Sequence, residues 1–355
     1  MIIEFKDAFI PREPTHRLTD EQLTRIASAY RRAKAEPRGW SPLYRVGNEW
    51  VPIYERYMAD FVAALHEVDI PRLRVLLENF FRKDFSNGLH GLHFEMVSRY
   101  MTPGRPISTT DAKAYAVTAQ ADLERLFLSI PGLDLGDIRV PIVGNPYGYE
   151  IGGSFYYGLH FLYFANKMLM LARKPNARIV ELGGGYGGLP WAIRQAMPQA
   201  KYIDFDLPEV LAISSFYTLS AFPQASIGLF GELDINSDEV NNFDFIFMPN
   251  FEIERLFDNW ADIGFNSWSL AEMEPGAIAN YVGHLCRLTN RYFMHVNHVT
   301  HCKLSSDLFP IDFRKFGLLH RAPAMWGKSD ARNKYIDEHE FIYEVRSSAA
   351  LGFCK

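Results

Sequence analysis

Arg178-Ile179-Val180-Glu181-Leu182-Gly183-Gly184-Gly185-Tyr186-Gly187 is the stretch whose reading decides the fold. A short apolar run of strand length, Arg178–Leu182, meets a cluster of glycines. A helical pattern, Leu189–Met197, follows. A glycine turn between a first strand and its helix lets a ligand approach the backbone closely, and the helix N-terminus beyond it offers free N–H groups. The glycines parse two ways. Gly183-x-Gly185-x-x-Gly188 fits a dinucleotide fingerprint, and Glu181-x-Gly183-x-Gly185-x-Gly187 fits a methyltransferase pattern. Neither spacing decides the ligand by itself.

Glu181 separates the two. It stands at the end of the apolar strand, two residues before the first glycine. A carboxylate there opposes an anionic phosphate ligand. It suits a ligand without phosphates that carries a cationic amino-acid portion, and S-adenosylmethionine has both an ammonium and a sulfonium. The plainer alternative is a tight turn with a solvated acid at the strand end. A second acid follows in Lys201-Tyr202-Ile203-Asp204-Phe205-Asp206-Leu207-Pro208. An acid about 20 residues after the turn is the expected partner of the ribose hydroxyls. Asp206, at the strand end before Leu207-Pro208 opens a helix, is preferred over Asp204. Asp206 could equally serve only the dipole of that helix.

Outward from the turn, the C-terminal half alternates. Strands are expected at Lys201–Phe205, Ser226–Phe230, Phe243–Met248, Ala261–Phe265 and Arg291–Asn297. Helices are expected at Pro208–Phe222 and, unbroken, from Ser269 to Leu288. This alternation predicts a Rossmann-like α/β fold, a parallel sheet with helices on both faces. Ser226–Phe230 and Phe243–Met248 compete as the third strand, and the second is taken as nearer the site. Phe316–His320 and Phe341–Val345 could close the sheet as an antiparallel pair. Upstream the apolar spacing is helical. Thr19-Asp20-Glu21-Gln22 caps a first helix, Asn48–Val68 continues the pattern, Pro71 starts a helix reaching Phe81, and Thr109-Thr110-Asp111 caps another reaching Leu128. The division is therefore a mainly helical region with its connector at 1–153 and a ligand-binding Rossmann-like domain at 154–355.

Composition narrows the function class. The net charge of −5 argues against a general nucleic-acid binder. No run of about 20 apolar residues or secretory leader is evident, so no membrane partner is expected. Three scattered cysteines, Cys286, Cys302 and Cys354, suit a reducing cytoplasm better than a disulfide framework.

Val180–Gly187 together with Asp204-Phe205-Asp206-Leu207-Pro208-Glu209-Val210-Leu211 resembles the class I S-adenosylmethionine-dependent methyltransferases. Gly144-Asn145-Pro146, Phe265-Asn266-Ser267-Trp268-Ser269-Leu270-Ala271-Glu272-Met273 and His295-Val296-Asn297-His298 are similar to the sugar O-methyltransferase family, with weaker support from Leu77–Arg82. The resemblance implies S-adenosyl-L-methionine bound at the carboxyl ends of the strands by Glu181, Gly183, Gly185, Gly187, Asp206 and Leu207. Asn250 and Phe251 would meet the adenine, with Asn266 and Ser267 nearby. It also implies a hydroxylated small-molecule acceptor, a sugar or glycoside. A homodimer is a compatible assembly. Asn250 could instead be a simple turn residue.

A neutral hydroxyl is a poor nucleophile, so a base is expected at a strand end, where it typically adds on the order of 10²–10⁴ in rate. His298 is the first candidate and Glu272, read as one turn into its helix, the second. His295 reads equally well as a buried strand histidine. Asn297 and Tyr157 could contact the acceptor, and Tyr156, Tyr157 and His160 could lid the cofactor. His298, His301 and Cys302 lack a second ligand pair of zinc-site spacing, so no zinc site is expected and no metal ligand is assigned, while a magnesium requirement stays open. Two other functions stay open at this point. They are an NAD-dependent oxidoreductase, through the other glycine parse, and an S-adenosylmethionine-binding protein without catalysis.

Overall fold

The structure, a computed structural model, describes residues 16–78, 159–300, 302–324 and 337–346, with positions 10, 11, 80, 85, 89, 147 and 148 besides. The helix expected from Thr109 to Leu128, the Gly144-Asn145-Pro146 loop, Tyr156, Tyr157, His301, Cys354 and the proposed boundary at residue 153 lie outside the described residues.

Helix α1, Asp20–Ala35, begins as expected. The Thr19 hydroxyl accepts from the Gln22 N–H while the Gln22 side chain accepts from the Thr19 N–H, a reciprocal capping box. Its buried positions, Leu23, Ile26, Ala27 and Tyr30, form one stripe. Two further helices follow, α2 at Ala59–Glu67 and α3 at Ile70–Leu77. The Asp69 carboxylate caps α3 and Pro71 lies in its first turn. Helix α3 stops at Leu77, short of the expected Phe81.

Eight strands form the main sheet. They are β1 (Arg178–Leu182), β2 (Lys201–Asp206), β3 (Ile227–Leu229), β4 (Phe245–Pro249), β5 (Ala261–Ser267), β6 (Thr289–His298), β7 (Phe316–Pro323) and β8 (Glu338–Val345). Their spatial order is β3-β4-β2-β1-β5-β6-β8-β7. All pairs are parallel except those of β8, which runs antiparallel between β6 and β7. Chain order reverses at β1, so a crevice opens at the carboxyl ends of β1 and β5, the switch point of a doubly wound sheet. Both candidate third strands belong to the sheet. β4 pairs with β2, and β3 is pushed to the outer edge.

The helices between strands are α4 (Leu159–Ala172), α5 (Gly188–Ala196), α6 (Pro208–Ala221) and α7 (Pro275–Leu288). Alternation along each strand sends its side chains to two cores. Ile179, Tyr202, Phe245, Phe247 and Phe265 pack with α4, α5, α6 and the N-terminal helices. Val180, Leu182, Ile203, Phe205, Ile246 and Met248 pack with α7. The N-terminal helices therefore share a core with the sheet.

One expected element is corrected. Ser269–Leu288 is not one helix. A short 3₁₀ turn, Ser269–Glu272, precedes α7. Met273 and Glu274 between them are extended, because Pro275 excludes the helical region at the residue before it. Glu272 therefore sits on a separate turn, and β5 runs two residues further than expected, to Ser267.

Candidate active site

The glycine turn leaves β1 at Leu182. Gly183, Gly185 and Gly187 take φ of +77°, +61° and +93°, a region closed to most side chains. Gly187 caps α5, and the Gly183 N–H donates to the Phe205 carbonyl at 2.9 Å, tying the turn to β2. Gly184 lies on the Asp204 carboxylate so closely that a Cβ there would come within 2.6 Å of Oδ2.

Three carboxyls surround this turn. Glu181 on β1 is the register partner of Asp204 on β2, and Asp206 is two residues on, so all three share one face. Glu181 is buried and accepts a hydrogen bond from the Tyr202 hydroxyl. Asp206 accepts from the Gly185 N–H at 3.1 Å and the Leu207 N–H at 2.6 Å. Asp204 accepts from the Gly184 N–H at 3.0 Å through Oδ1. Burial drives all three proton affinities upward; repulsion from the other acids of the trio adds to this for Glu181 and Asp204, and repulsion from Glu209 and Glu272 for Asp206. No lysine, arginine or histidine pairs with any of them among the described residues. Such a site rejects a phosphate. It accepts a cation and hydroxyl donors, which are what an aminoacyl group and a ribose present.

On the other side of the crevice, Asn266 at the end of β5 donates to the Leu182 carbonyl (2.8 Å) and the Ser269 hydroxyl (2.6 Å). It accepts from Asn297 Nδ2 at 2.9 Å, and Asn297 Oδ1 in turn accepts from the Ala271 N–H at 3.1 Å. Both amides are buried and spend their hydrogen bonds on this brace, so they hold three strand ends in register. The ligand contacts expected of Asn266 and Asn297 would have to be made beside this brace. Ser267 is likewise buried at the strand end.

Asn250 and Phe251, expected at the adenine, are held by internal contacts. The Asn250 amide donates to the Tyr44 carbonyl (2.7 Å) and the Tyr281 hydroxyl (2.9 Å), and its oxygen accepts from the Phe251 N–H. Phe251 is buried in the α7-side core with the Arg38 guanidinium over its ring. Both side chains are buried.

His298 is the last residue of β6 rather than the first beyond it. Its Nδ1 lies 2.9 Å from Asp337 Oδ2, and the other oxygen of Asp337 accepts from the Thr300 N–H at 2.7 Å and the Thr300 hydroxyl. Asp337, just before β8, was not recognisable in the sequence because nothing local marks it. Glu272 is mostly buried and accepts from the Trp50 indole N–H at 2.8 Å. Burial raises its proton affinity, and it interacts electrostatically with both Asp206 and His298, which places it between the two sides. The N-terminal region thus contributes to the site. The Tyr54 hydroxyl (2.9 Å) and Lys34 Nζ (2.8 Å) both meet the buried Glu209, in the first turn after Asp206.

Trp268 also escaped sequence reading. Its φ of +61° with ψ of −40° is strained for a non-glycine residue, and its N–H donates to the Val296 carbonyl at 2.8 Å. Its ring meets His160 edge-on at 5.1 Å. His295 is buried and His160 is half-buried with its Nε2 enclosed, and desolvation holds both rings down to a pKa of about 3. His295 stacks on Phe341 at 4.6 Å and belongs to the core rather than to the crevice. Cys302 donates to the His298 carbonyl, and among the described residues no group of three or more His, Cys, Asp or Glu is placed to hold a metal. No helix among them is long and apolar enough to cross a membrane.

Residues 165–262 match a family described as an O-methyltransferase domain. The match covers under a third of the chain. It includes the glycine turn and its three carboxyls and ends before His298 and Asp337. No curated protein sequence matches. Among solved structures, magnesium protoporphyrin IX methyltransferase from Synechocystis PCC 6803 with bound SAH is 12% identical at a TM-score of 0.36, covering 54% of this chain and 83% of that one. A candidate sarcosine dimethylglycine methyltransferase from Galdieria sulphuraria is 9% identical at 0.38, covering 52% and 85%. A candidate RNA methyltransferase from Pyrococcus horikoshii is 12% identical at 0.35, covering 64% and 100%. These scores are too low to weigh, and the three acceptors differ. The domain match falls on the segment that holds the glycine turn and its carboxyls.

Proposed function

We propose that this chain is an S-adenosylmethionine-dependent O-methyltransferase acting on a hydroxyl of a sugar or other small molecule, with His298 as general base. The observation that carries the reading is the His298–Asp337 pair, at the same carboxyl end of the parallel strands as the acid-flanked glycine turn. Asp337 accepting from Nδ1–H fixes the tautomer that leaves Nε2 basic toward an acceptor hydroxyl, and it stabilises the imidazolium that forms. The turn at Gly183–Gly187 and Glu181 would hold the aminoacyl portion of the cofactor, and Asp206 its ribose. When bound, S-adenosylmethionine supplies the methyl group. Glu272, tied to Trp50, would receive a donor of the acceptor beside His298.

The O-methyltransferase domain match favours oxygen over nitrogen or carbon acceptors. The sugar rests on the resemblance of Phe265–Met273 and His295–His298 alone. The division at residues 153/154 and a cytoplasmic location belong to the same proposal.

Calorimetric titration with S-adenosylhomocysteine and, separately, NAD tests the cofactor. Binding of NAD alone would overturn the reading. Label transfer from methyl-labelled S-adenosylmethionine to a panel of glycosides tests the acceptor. His298→Ala is expected to lose on the order of 10²–10⁴ in single-turnover rate with S-adenosylhomocysteine affinity retained.

A further inference from the structure

Asp204 stands apart from its two acidic neighbours. Glu181 has the Tyr202 hydroxyl, and Asp206 has two backbone N–H groups. Asp204 is fully buried and, among the described residues, has one donor, Gly184 N–H on Oδ1, while Oδ2 has no hydrogen-bond partner. Among the described residues, the titratable groups acting on it are acidic or phenolic. Glu181 comes from β1, and Asp206 and Tyr202 from β2. Beyond them Glu209 of α6 and Glu272 of the 3₁₀ turn act on Asp206. Lys34 is paired with Glu209. An ionised carboxylate enclosed this way is strongly disfavoured, so the group carries a proton instead.

The cluster is also mechanically placed to sense a ligand. Gly184 rests on the Asp204 carboxyl with no room for a methyl group between them. Glu181, Asp204 and Asp206 together reach Gly184 and Gly185 and the strand ends beneath the turn. A positive charge brought onto this turn lowers the proton affinity of the whole cluster.

We propose that Asp204 is a positioning residue that is protonated in the free protein and releases its proton to solvent when the ammonium of the bound cofactor settles over Glu181 and the turn. Binding is thereby linked to pH, and the neutral acid supports Gly184 until the cation arrives. The O–H bond of the carboxyl breaks and the proton passes to buffer, with no other bond changed. This inference rests on the cofactor reading above. The three acids titrate as a unit, so the share of Asp204 is read from a variant rather than from the total.

The experiment is calorimetric titration of the full chain with S-adenosylhomocysteine at neutral pH in buffers of different ionisation enthalpy, which counts protons released. Wild type is expected to release protons, with a Kd that tightens several-fold from pH 6 to pH 8, at most about tenfold per unit for one proton. Asp204→Asn keeps the acceptor for Gly184 and removes the acid. It is expected to release fewer protons and to flatten the pH profile. Binding without buffer dependence in wild type, or an unchanged count in Asp204→Asn, overturns the linkage and leaves the cofactor reading standing. No binding at all overturns the cofactor reading instead. The infrared carbonyl band of a protonated carboxyl in ligand-free wild type, missing from Asp204→Asn, tests the resting protonation independently, and its absence from wild type also overturns the proposal.

Discussion

Replacing His295 by phenylalanine should make the protein less sensitive to acid, by an amount that follows from burial. His295 is fully enclosed, stacked on Phe341 and flanked by Phe309, Phe293 and Tyr343. Its Nε2 has no partner among the described residues. Burial holds its pKa at about 3, against about 6.5 in an unfolded chain. Below 6.5 the unfolded state binds more protons than the folded one, so stability falls as pH falls from about 6.5 towards 3. At pH 5.0 the gap is about 1.5 pH units, and at about 1.4 kcal/mol per unit the penalty is about 2 kcal/mol. At pH 7.5 it is near zero. Phenylalanine keeps the ring stack and cannot titrate. Any overpacking by its larger ring adds an offset that does not depend on pH. Urea unfolding followed by tryptophan fluorescence, on both proteins at pH 7.5 and 5.0, gives the difference directly. Taking variant minus wild type cancels His160, which is desolvated to the same effect, and the three carboxyls at the turn. Those act in the opposite sense, since acids with raised proton affinity add stability as pH falls. The variant should gain about 2 kcal/mol on wild type between the two pH values. An equal difference at both would refute the argument that burial keeps His295 neutral.

Three other outcomes are expected. Gly184→Ala drives a methyl group into the Asp204 carboxyl, at 2.6 Å from Oδ2, and should cost about 1–3 kcal/mol in thermal unfolding while weakening S-adenosylhomocysteine binding at least tenfold in calorimetry. Asn266→Ala strands the Leu182 carbonyl and the Asn297 amide, each worth about 1–3 kcal/mol, so urea unfolding should show a loss of several kcal/mol with no new pH dependence. Asp337→Asn should leave S-adenosylhomocysteine affinity unchanged while the methyl-transfer rate falls by up to the 10²–10⁴ that a general base supplies; unchanged single-turnover kinetics would remove Asp337 from His298's support.

Much of this architecture was legible in the chain alone. Strand alternation, the glycine turn and the acids at 181, 204 and 206 are local patterns, because a strand's faces repeat every two residues and a tight turn demands glycine. β1 was located to the residue, and the closing antiparallel pair was anticipated from two apolar runs. The break before α7 was available in principle, since Pro275 forbids a helical residue before it.

What the sequence could not decide is which polar group is spent where. Asn250, Asn266 and Asn297 look like ligand contacts along the chain, yet tertiary contacts satisfy all three internally. Asp337 lies 39 positions from His298 and meets it only because β8 inserts antiparallel beside β6. Trp50 reaches Glu272 across 222 positions because the N-terminal helices share a core with the sheet. Local pattern carries backbone conformation, whereas hydrogen-bond partners and buried charge depend on neighbours that only the packed chain brings together.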